Sequence, residues 1–190
     1  MKQVDTPSES SVSKLFNDFG ENISAYGMDV KSNSIVVTGE KYNGNNWEVY
    51  LAKFDSDLNL IWHLTCSNGN DNSYGYAVSQ DAQGYIYVTG ETYFGAIVVK
   101  FDTNGQLQWQ RILNDGYGDG YGFAISADTD GSVYVSGLTY ANITNGDYEG
   151  FFLAKLEADT GSTVYTNAWT SSVYRDTYTW YWYNNAHRSM

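Results

Sequence analysis

The feature that most constrains this chain is that it repeats itself. Three segments align from end to end at a spacing of about 47 residues, and such a period points to a repeat architecture. The first opens Tyr26-Gly27-Met28-Asp29-Val30 and reaches Ile35-Val36-Val37-Thr38-Gly39-Glu40. The second opens Tyr74-Gly75-Tyr76-Ala77-Val78 and reaches Ile86-Tyr87-Val88-Thr89-Gly90-Glu91. The third opens Tyr121-Gly122-Phe123-Ala124-Ile125 and reaches Val133-Tyr134-Val135-Ser136-Gly137-Leu138. Their second halves repeat too: Leu51-Ala52-Lys53-Phe54-Asp55, Val98-Val99-Lys100-Phe101-Asp102 and Leu153-Ala154-Lys155-Leu156-Glu157. A polar turn follows each, and then an aromatic ring: Trp62, Trp109 and, one residue late, Tyr165. Chance does not line up four motifs in order three times.

Each unit reads as four strands. In the second unit these are a short Gly-punctuated strand (Tyr74 to Ser79), two apolar strands (Ile86 to Thr89, Ala96 to Phe101) and a more polar outer strand (Gln106 to Leu113). The continuous β-branched and aromatic runs of the middle strands suit burial on both faces. The first turn of each unit carries Gly or polar residues, as in Asp81-Ala82-Gln83-Gly84. A four-strand unit of this length cannot bury both faces alone, so copies must stack, which is the signature of propeller blades. A β-solenoid or a sandwich competes, but solenoid coils are shorter and a sandwich needs no repeat. The expected fold is all-β: a propeller-like array of three four-stranded antiparallel blades in an incomplete ring, with extra terminal strands. The boundaries are a flexible tail over 1–12, a terminal outer strand over 13–25, blades over 26–73, 74–120 and 121–170, and an aromatic strand over 171–190.

Two runs resemble a known family. They are Ala77-Val78-Ser79-Gln80-Asp81-Ala82-Gln83-Gly84-Tyr85-Ile86-Tyr87-Val88-Thr89-Gly90-Glu91-Thr92 and Val98-Val99-Lys100-Phe101-Asp102-Thr103-Asn104-Gly105-Gln106-Leu107-Gln108-Trp109-Gln110. Both resemble the seven-bladed β-propeller-type repeats of bacterial and phage proteins. They are also similar to repeats in virion structural proteins of marine tailed phages. The resemblance spans residues 26 to about 170 and carries no shared catalytic residue. It implies a scaffold, often extracellular or virion-borne.

Three units are fewer than the about four that a closed propeller needs. Residues Ser13 to Asp18 sit where the fourth strand of a preceding blade would lie. Residues Tyr174 to Tyr183 sit where the first strand of a following blade would lie. The chain thus reads as starting and ending in mid-blade. Along 177–183 large rings alternate onto both faces of a strand: Tyr178, Trp180 and Trp182 on one, Tyr181 and Tyr183 on the other. Such a strand needs cover, so these five rings are the candidate assembly interface.

Charge narrows the partners. With 10 Lys+Arg against 22 Asp+Glu the chain carries a net charge of −12, which repels nucleic acid and anionic lipid. No stretch approaches the roughly 20 apolar residues of a membrane helix. The polar start lacks the apolar run of a secretory signal, so no Sec leader is expected. Expected partners are other structural subunits or further copies, and a host-surface glycan is a second class. The expected location is the phage particle, or otherwise an extracellular or cytoplasmic setting.

Catalytic chemistry has little to stand on. The two histidines, His63 and His187, do not pair with cysteine at metal-ligand spacing. Cys66 is the single cysteine and reads as a small buried apolar residue. Asn114 to Gly120 and Asn68 to Asn72 are oxygen-rich, but Asx and Gly also make turns, and neither matches a calcium loop. No enzyme, cofactor or metal is expected. The connections between second and third strands offer binding candidates, because they are aromatic and vary in length: Tyr42 and Trp47, Tyr93 and Phe94, Tyr140 and Tyr148. Rings beside Asn and Asp suit sugar stacking and protein contact equally.

Overall fold

The structure is a computed structural model. It describes residues 22–67, 69, 71–113, 120–143 and 146–170. These residues form three four-stranded antiparallel sheets and no helix. The first sheet holds β1 (Ile23–Lys31), β2 (Ser34–Tyr42), β3 (Trp47–Asp55) and β4 (Leu60–Cys66). The second holds β5 (Ser73–Gln80), β6 (Ile86–Thr92), β7 (Gly95–Phe101) and β8 (Leu107–Leu113). The third holds β9 (Gly120–Ala127), β10 (Ser132–Ile143), β11 (Gly146–Glu157) and β12 (Thr163–Thr170). Strand order follows chain order in every sheet, as expected for blades.

The sheets stack face to face without closing a ring. β5 lies against β1, β2 and β3, and β9 lies against β5, β6 and β7. Alternation along each strand splits the side chains of the second sheet between two cores. Ile86, Val88, Ile97, Val99 and Phe101 pack on Val36, Val49 and Leu51 of the first sheet. Tyr87, Ala96, Val98 and Trp109 pack on Val133, Val135, Phe152, Ala154 and Leu156 of the third. Every residue of β7 is therefore buried, which is why its sequence is an unbroken apolar run. Each buried aliphatic or aromatic side chain contributes about 1.5–3 kcal/mol relative to exposure.

A bulge marks the inner strand of each sheet. The pairing slips between Ala25 and Gly27, between Gly75 and Ala77, and opposite Ser136 and Gly137. The bulged residues are Tyr26, Tyr76 and Phe123. Gly39, Gly90 and Gly137 face these bulges, and a Cβ on any of them would run into the carbonyl of Ser24, Tyr74 or Tyr121.

This register corrects the alignment of the first unit. Tyr26 corresponds to Tyr76 and Phe123, not to Tyr74 and Tyr121, so the first unit's opening moves by two residues. The strand over 13–25 is corrected in part as well, because Ile23–Ala25 already belong to β1. The other inner strands begin one residue early, at Ser73 and Gly120. The remainder of the expected terminal strands, Ser13 to Asp18 and Tyr174 to Tyr183, lies outside the described residues.

Candidate functional site

The repeated Lys and Trp turn out to be an inter-sheet latch. Lys53 Nζ and Trp62 Nε1 both donate to the carbonyl of Thr103, in the turn between β7 and β8 of the next sheet, at 3.1 and 3.3 Å. Lys100 Nζ and Trp109 Nε1 donate to the carbonyl of Ala158, in the corresponding turn of the third sheet, both at 2.9 Å. Register explains why the two donors act together: Lys53 lies opposite Trp62, and Lys100 opposite Trp109. Gly105 and Gly161, at φ of 81° and 68°, let the receiving turn lie under the indole. Leu58 takes the same left-handed place in the first sheet at φ 62°.

Two further contacts repeat at both junctions. Gly75 sits against Thr38, and Gly122 against Thr89, closely enough that a Cβ would strike each threonine's Oγ1. Those hydroxyls donate to carbonyls of their own sheets, at Tyr50 and Ile97. At the inner end, the Gln80 amide donates to Asp29 Oδ2 at 2.7 Å, and the Ala127 amide donates to Ser79 Oγ at 3.1 Å.

The third sheet keeps the donor side of this latch on its outer face. Lys155 lies opposite Tyr165, the register of the two Lys–Trp pairs, although the turn before Tyr165 is longer. Beside them Phe151 and Trp169 stack at 4.7 Å with an interplanar angle of 20°. Phe151, Tyr165 and Trp169 are all exposed. Lys155 Nζ stands 3.7 Å from Asp130.

A row of aromatic rings runs across the three inner strands. Tyr26 and Tyr76 meet edge to face at 5.7 Å, and Tyr76 and Phe123 tilt together at 5.6 Å. Tyr74 and Tyr121 stack beside it on Tyr76 and Phe123. Tyr26 donates to Glu40 at 2.7 Å, and Tyr76 to Glu91 at 2.6 Å. Burial, then the Glu91 carboxylate, pushes the Tyr76 phenol far above its ordinary range. In the third sheet both partners change at once, to Phe123 and Leu138. Replacing both members leaves no buried acceptor without a donor.

The candidate ring pairs between second and third strands lie at one end of the stack. Tyr42 and Trp47 are not loop residues: they pair at the closing end of β2 and β3, with rings 5.3 Å apart. The Trp47 amide donates to Asn72 Oδ1. Tyr93 and Phe94 form the tight turn between β6 and β7, with rings at right angles and Tyr93 72% exposed. Tyr140 and Tyr148 lie within β10 and β11, opposite Glu149 and Ala141, so a long hairpin replaces the expected loop. Tyr178, Trp180, Tyr181, Trp182 and Tyr183 lie outside the described residues.

Three of the acids are turn builders. Asp55, Asp81 and Asp102 each accept two backbone amides through Oδ1. Among the described residues no three His, Cys, Asp or Glu side chains are placed to hold a metal. Of the oxygen-rich stretches, Asn68, Asn70 and 114–119 lie outside the described residues, as does His187. His63 is an exposed strand residue whose ring lies 5.9 Å from that of Tyr50. Cys66 is half-buried rather than buried, and burial followed by the Glu48 charge raises its thiol above the usual range.

Sequence reading missed three things: the latch role of Lys and Trp, the inner aromatic row, and the Phe151–Trp169 stack. The recurring Lys and Trp were the available signal for the first. No family model matches this sequence, and no curated protein matches it.

Proposed function

We propose that the chain is a non-enzymatic structural or attachment component of a phage virion that works through protein–protein assembly. One observation carries the assembly reading. The outer face of the third sheet presents Lys155 and Tyr165 in the register of the Lys–Trp pairs that join sheets inside the chain, beside an exposed Phe151–Trp169 stack. Exposed stacked rings next to polar donors are the makings of an interface anchor. The virion part rests on the resemblance of the repeat motifs, which is analogy rather than physics. Light scattering at micromolar concentration tests the reading: the chain runs above the 21.3 kDa of one copy, and Trp169→Lys shifts it toward that mass. A monodisperse monomer unchanged by Trp169→Lys counts against it.

Carbohydrate binding is the second reading. The observation in its favour is the exposed Tyr93–Phe94 pair, at the end of the stack that also holds Tyr42 and Trp47. Glycan-array binding that is lost on Trp47→Ala favours this reading, and an array without signal removes it.

A further inference from the structure

Two Asn–Gly pairs lie wholly among the described residues, Asn43-Gly44 and Asn104-Gly105, and the fold treats them differently. An asparagine before glycine can close a ring on its own backbone, because no side chain on the glycine keeps the next amide nitrogen from the asparagine Cγ. We propose that Asn43 is a self-modification site. The turn between β2 and β3 promotes closure of a succinimide ring there and its hydrolysis to aspartate and isoaspartate, while Asn104 is protected.

The three reacting groups at Asn43 are gathered in one turn. The electrophile is the side-chain carbonyl, whose Oδ1 accepts the amides of Asn45 and Asn46, both at 2.9 Å. Such donors hold a neutral carbonyl weakly and an oxyanion strongly, so they favour the state in which Cγ has been attacked. The nucleophile is the Gly44 nitrogen, which makes no hydrogen bond among the described residues. The leaving group is Nδ2, which donates to Glu48 Oε1 at 2.7 Å. That carboxylate stabilises the positive charge that Nδ2 gains as it departs. Gly44 holds φ at 104°, and a Cβ on it would meet nothing within 4 Å. Asn43 and Gly44 are exposed, so water reaches the ring.

The steps need water and no other reactant. The Gly44 nitrogen bonds to Cγ and yields its proton to solvent. The Cγ–Nδ2 bond breaks, and Nδ2 takes a proton from solvent and leaves as ammonia. Water then adds to one of the two ring carbonyls. Opening at Cγ gives aspartate, and opening at the main-chain carbon gives isoaspartate. Either product sets a second carboxylate beside Glu48 where an amide donor stood. Isoaspartate also adds one carbon to the chain path inside the turn that Tyr42 and Trp47 close.

Asn104 lacks each of these aids. The Gly105 amide is engaged, donating to the Asp102 carbonyl at 3.1 Å. The Asn104 side chain is exposed, and its carbonyl receives no donor among the described residues. The first sheet also presses on this turn: a Cβ on Gly105 would stand 2.9 Å from Leu64 Cδ2 and 3.4 Å from the Trp62 ring. Ring closure at Asn104 must break the turn's own bond and push against both side chains.

Ageing of the full chain at neutral pH in heavy-oxygen water, followed by peptide mapping with mass spectrometry, tests the pair. In the folded chain Asn43 takes up heavy oxygen faster than Asn104 by about tenfold or more, the order of effect that oxyanion donors have. In concentrated urea the two convert alike, because only their shared Asn–Gly sequence then counts. Glu48→Gln slows conversion at Asn43 in the folded chain and leaves the rate in urea unchanged. Conversion at Asn104 as fast as at Asn43 in the folded chain overturns the proposal. So does an Asn43 that stays intact in the folded chain after the urea sample has converted. A folded-state rate that Glu48→Gln does not move overturns the part given to Glu48.

Discussion

The two junctions of this molecule share one set of contacts but weight them differently. Between the second and third sheets the latch is deep. Lys100 is 4% exposed and Trp109 8%, and the Lys100 ammonium also lies 4.1 Å from the centre of the Tyr85 ring. Between the first and second sheets the latch is shallow: Lys53 and Trp62 are only half-buried, and their bonds are longer. That junction is tied at its inner end instead. Gln80, almost fully buried, receives Ser34 Oγ on its side-chain oxygen and Lys31 Nζ on its carbonyl, both at 2.7 Å. Its counterpart in the third sheet is Ala127, whose side chain can accept nothing. One motif can therefore be an apolar anchor in one place and a surface clasp in another, with water deciding which.

Removing the rings should break this contrast most clearly. Trp109→Ala is expected to destabilise the chain by about 3–5 kcal/mol, as truncation of a buried Trp does, and Trp62→Ala by roughly half of that. Urea denaturation of the two variants checks the order, and equal losses would erase the distinction between the junctions.

Alkaline pH sharpens it next. Tyr87 donates to Asp81 in the second junction, where the first junction has Val36. Burial, then the Asp81 carboxylate, raises the Tyr87 phenol far above its ordinary value, and Tyr76 shifts the same way. Burial alone lifts Tyr50 to about 12. A raised folded-state value means that these groups stabilise fully below the unfolded value of about 10. That stability is then lost as pH climbs through the folded values. Melting temperature should fall above about pH 10, and Tyr87→Phe should flatten the fall.

Two smaller effects concern the polar ties. Lys100→Met should destabilise by about 1–3 kcal/mol, because a charged bond in a dry site is lost, while Lys53→Met stays within about 0.5 kcal/mol. Gln80→Ala should cost about 1–2 kcal/mol, since Ser34 loses its acceptor, yet Asp29 keeps the backbone amide. Smallest of all, Leu58→Gly should be neutral to about 1 kcal/mol stabilising in the isolated chain. The relief of a left-handed Leu is offset by the backbone entropy of Gly. Thermal denaturation of each variant beside the wild type reads these out.

How much of this was legible beforehand depends on which interaction set each residue. Strand positions in the second sheet could be read directly, because burial on both faces leaves no polar residue to interrupt Ile86 to Val88 or Ala96 to Val99. The first unit's opening misled, because Tyr26-Gly27 mimics Tyr74-Gly75 while the bulge, a pairing property, aligns Tyr26 with Tyr76. Tyr140 and Tyr148 read as loop because their polar neighbours resemble turn sequence, and only pairing across β10 and β11 extends them into strands. The latch was hidden for another reason. Lys and Trp are visibly periodic, but their target is a main-chain oxygen about 50 residues away, and no sequence spells that.

That the target is main chain has a consequence for how such a molecule changes over generations. The gripped turns read Thr103-Asn104-Gly105 and Ala158-Asp159-Thr160-Gly161, and the matching turn of the first sheet reads Ser56-Asp57-Leu58, with little in common. A peptide oxygen survives any substitution of the residue that bears it, so Thr103 and Ala158 are free to drift, while the holding side and the glycine beneath the indole must be kept. A duplicated unit, spliced in anywhere along such a gene, would find a handhold waiting on whatever neighbour it met.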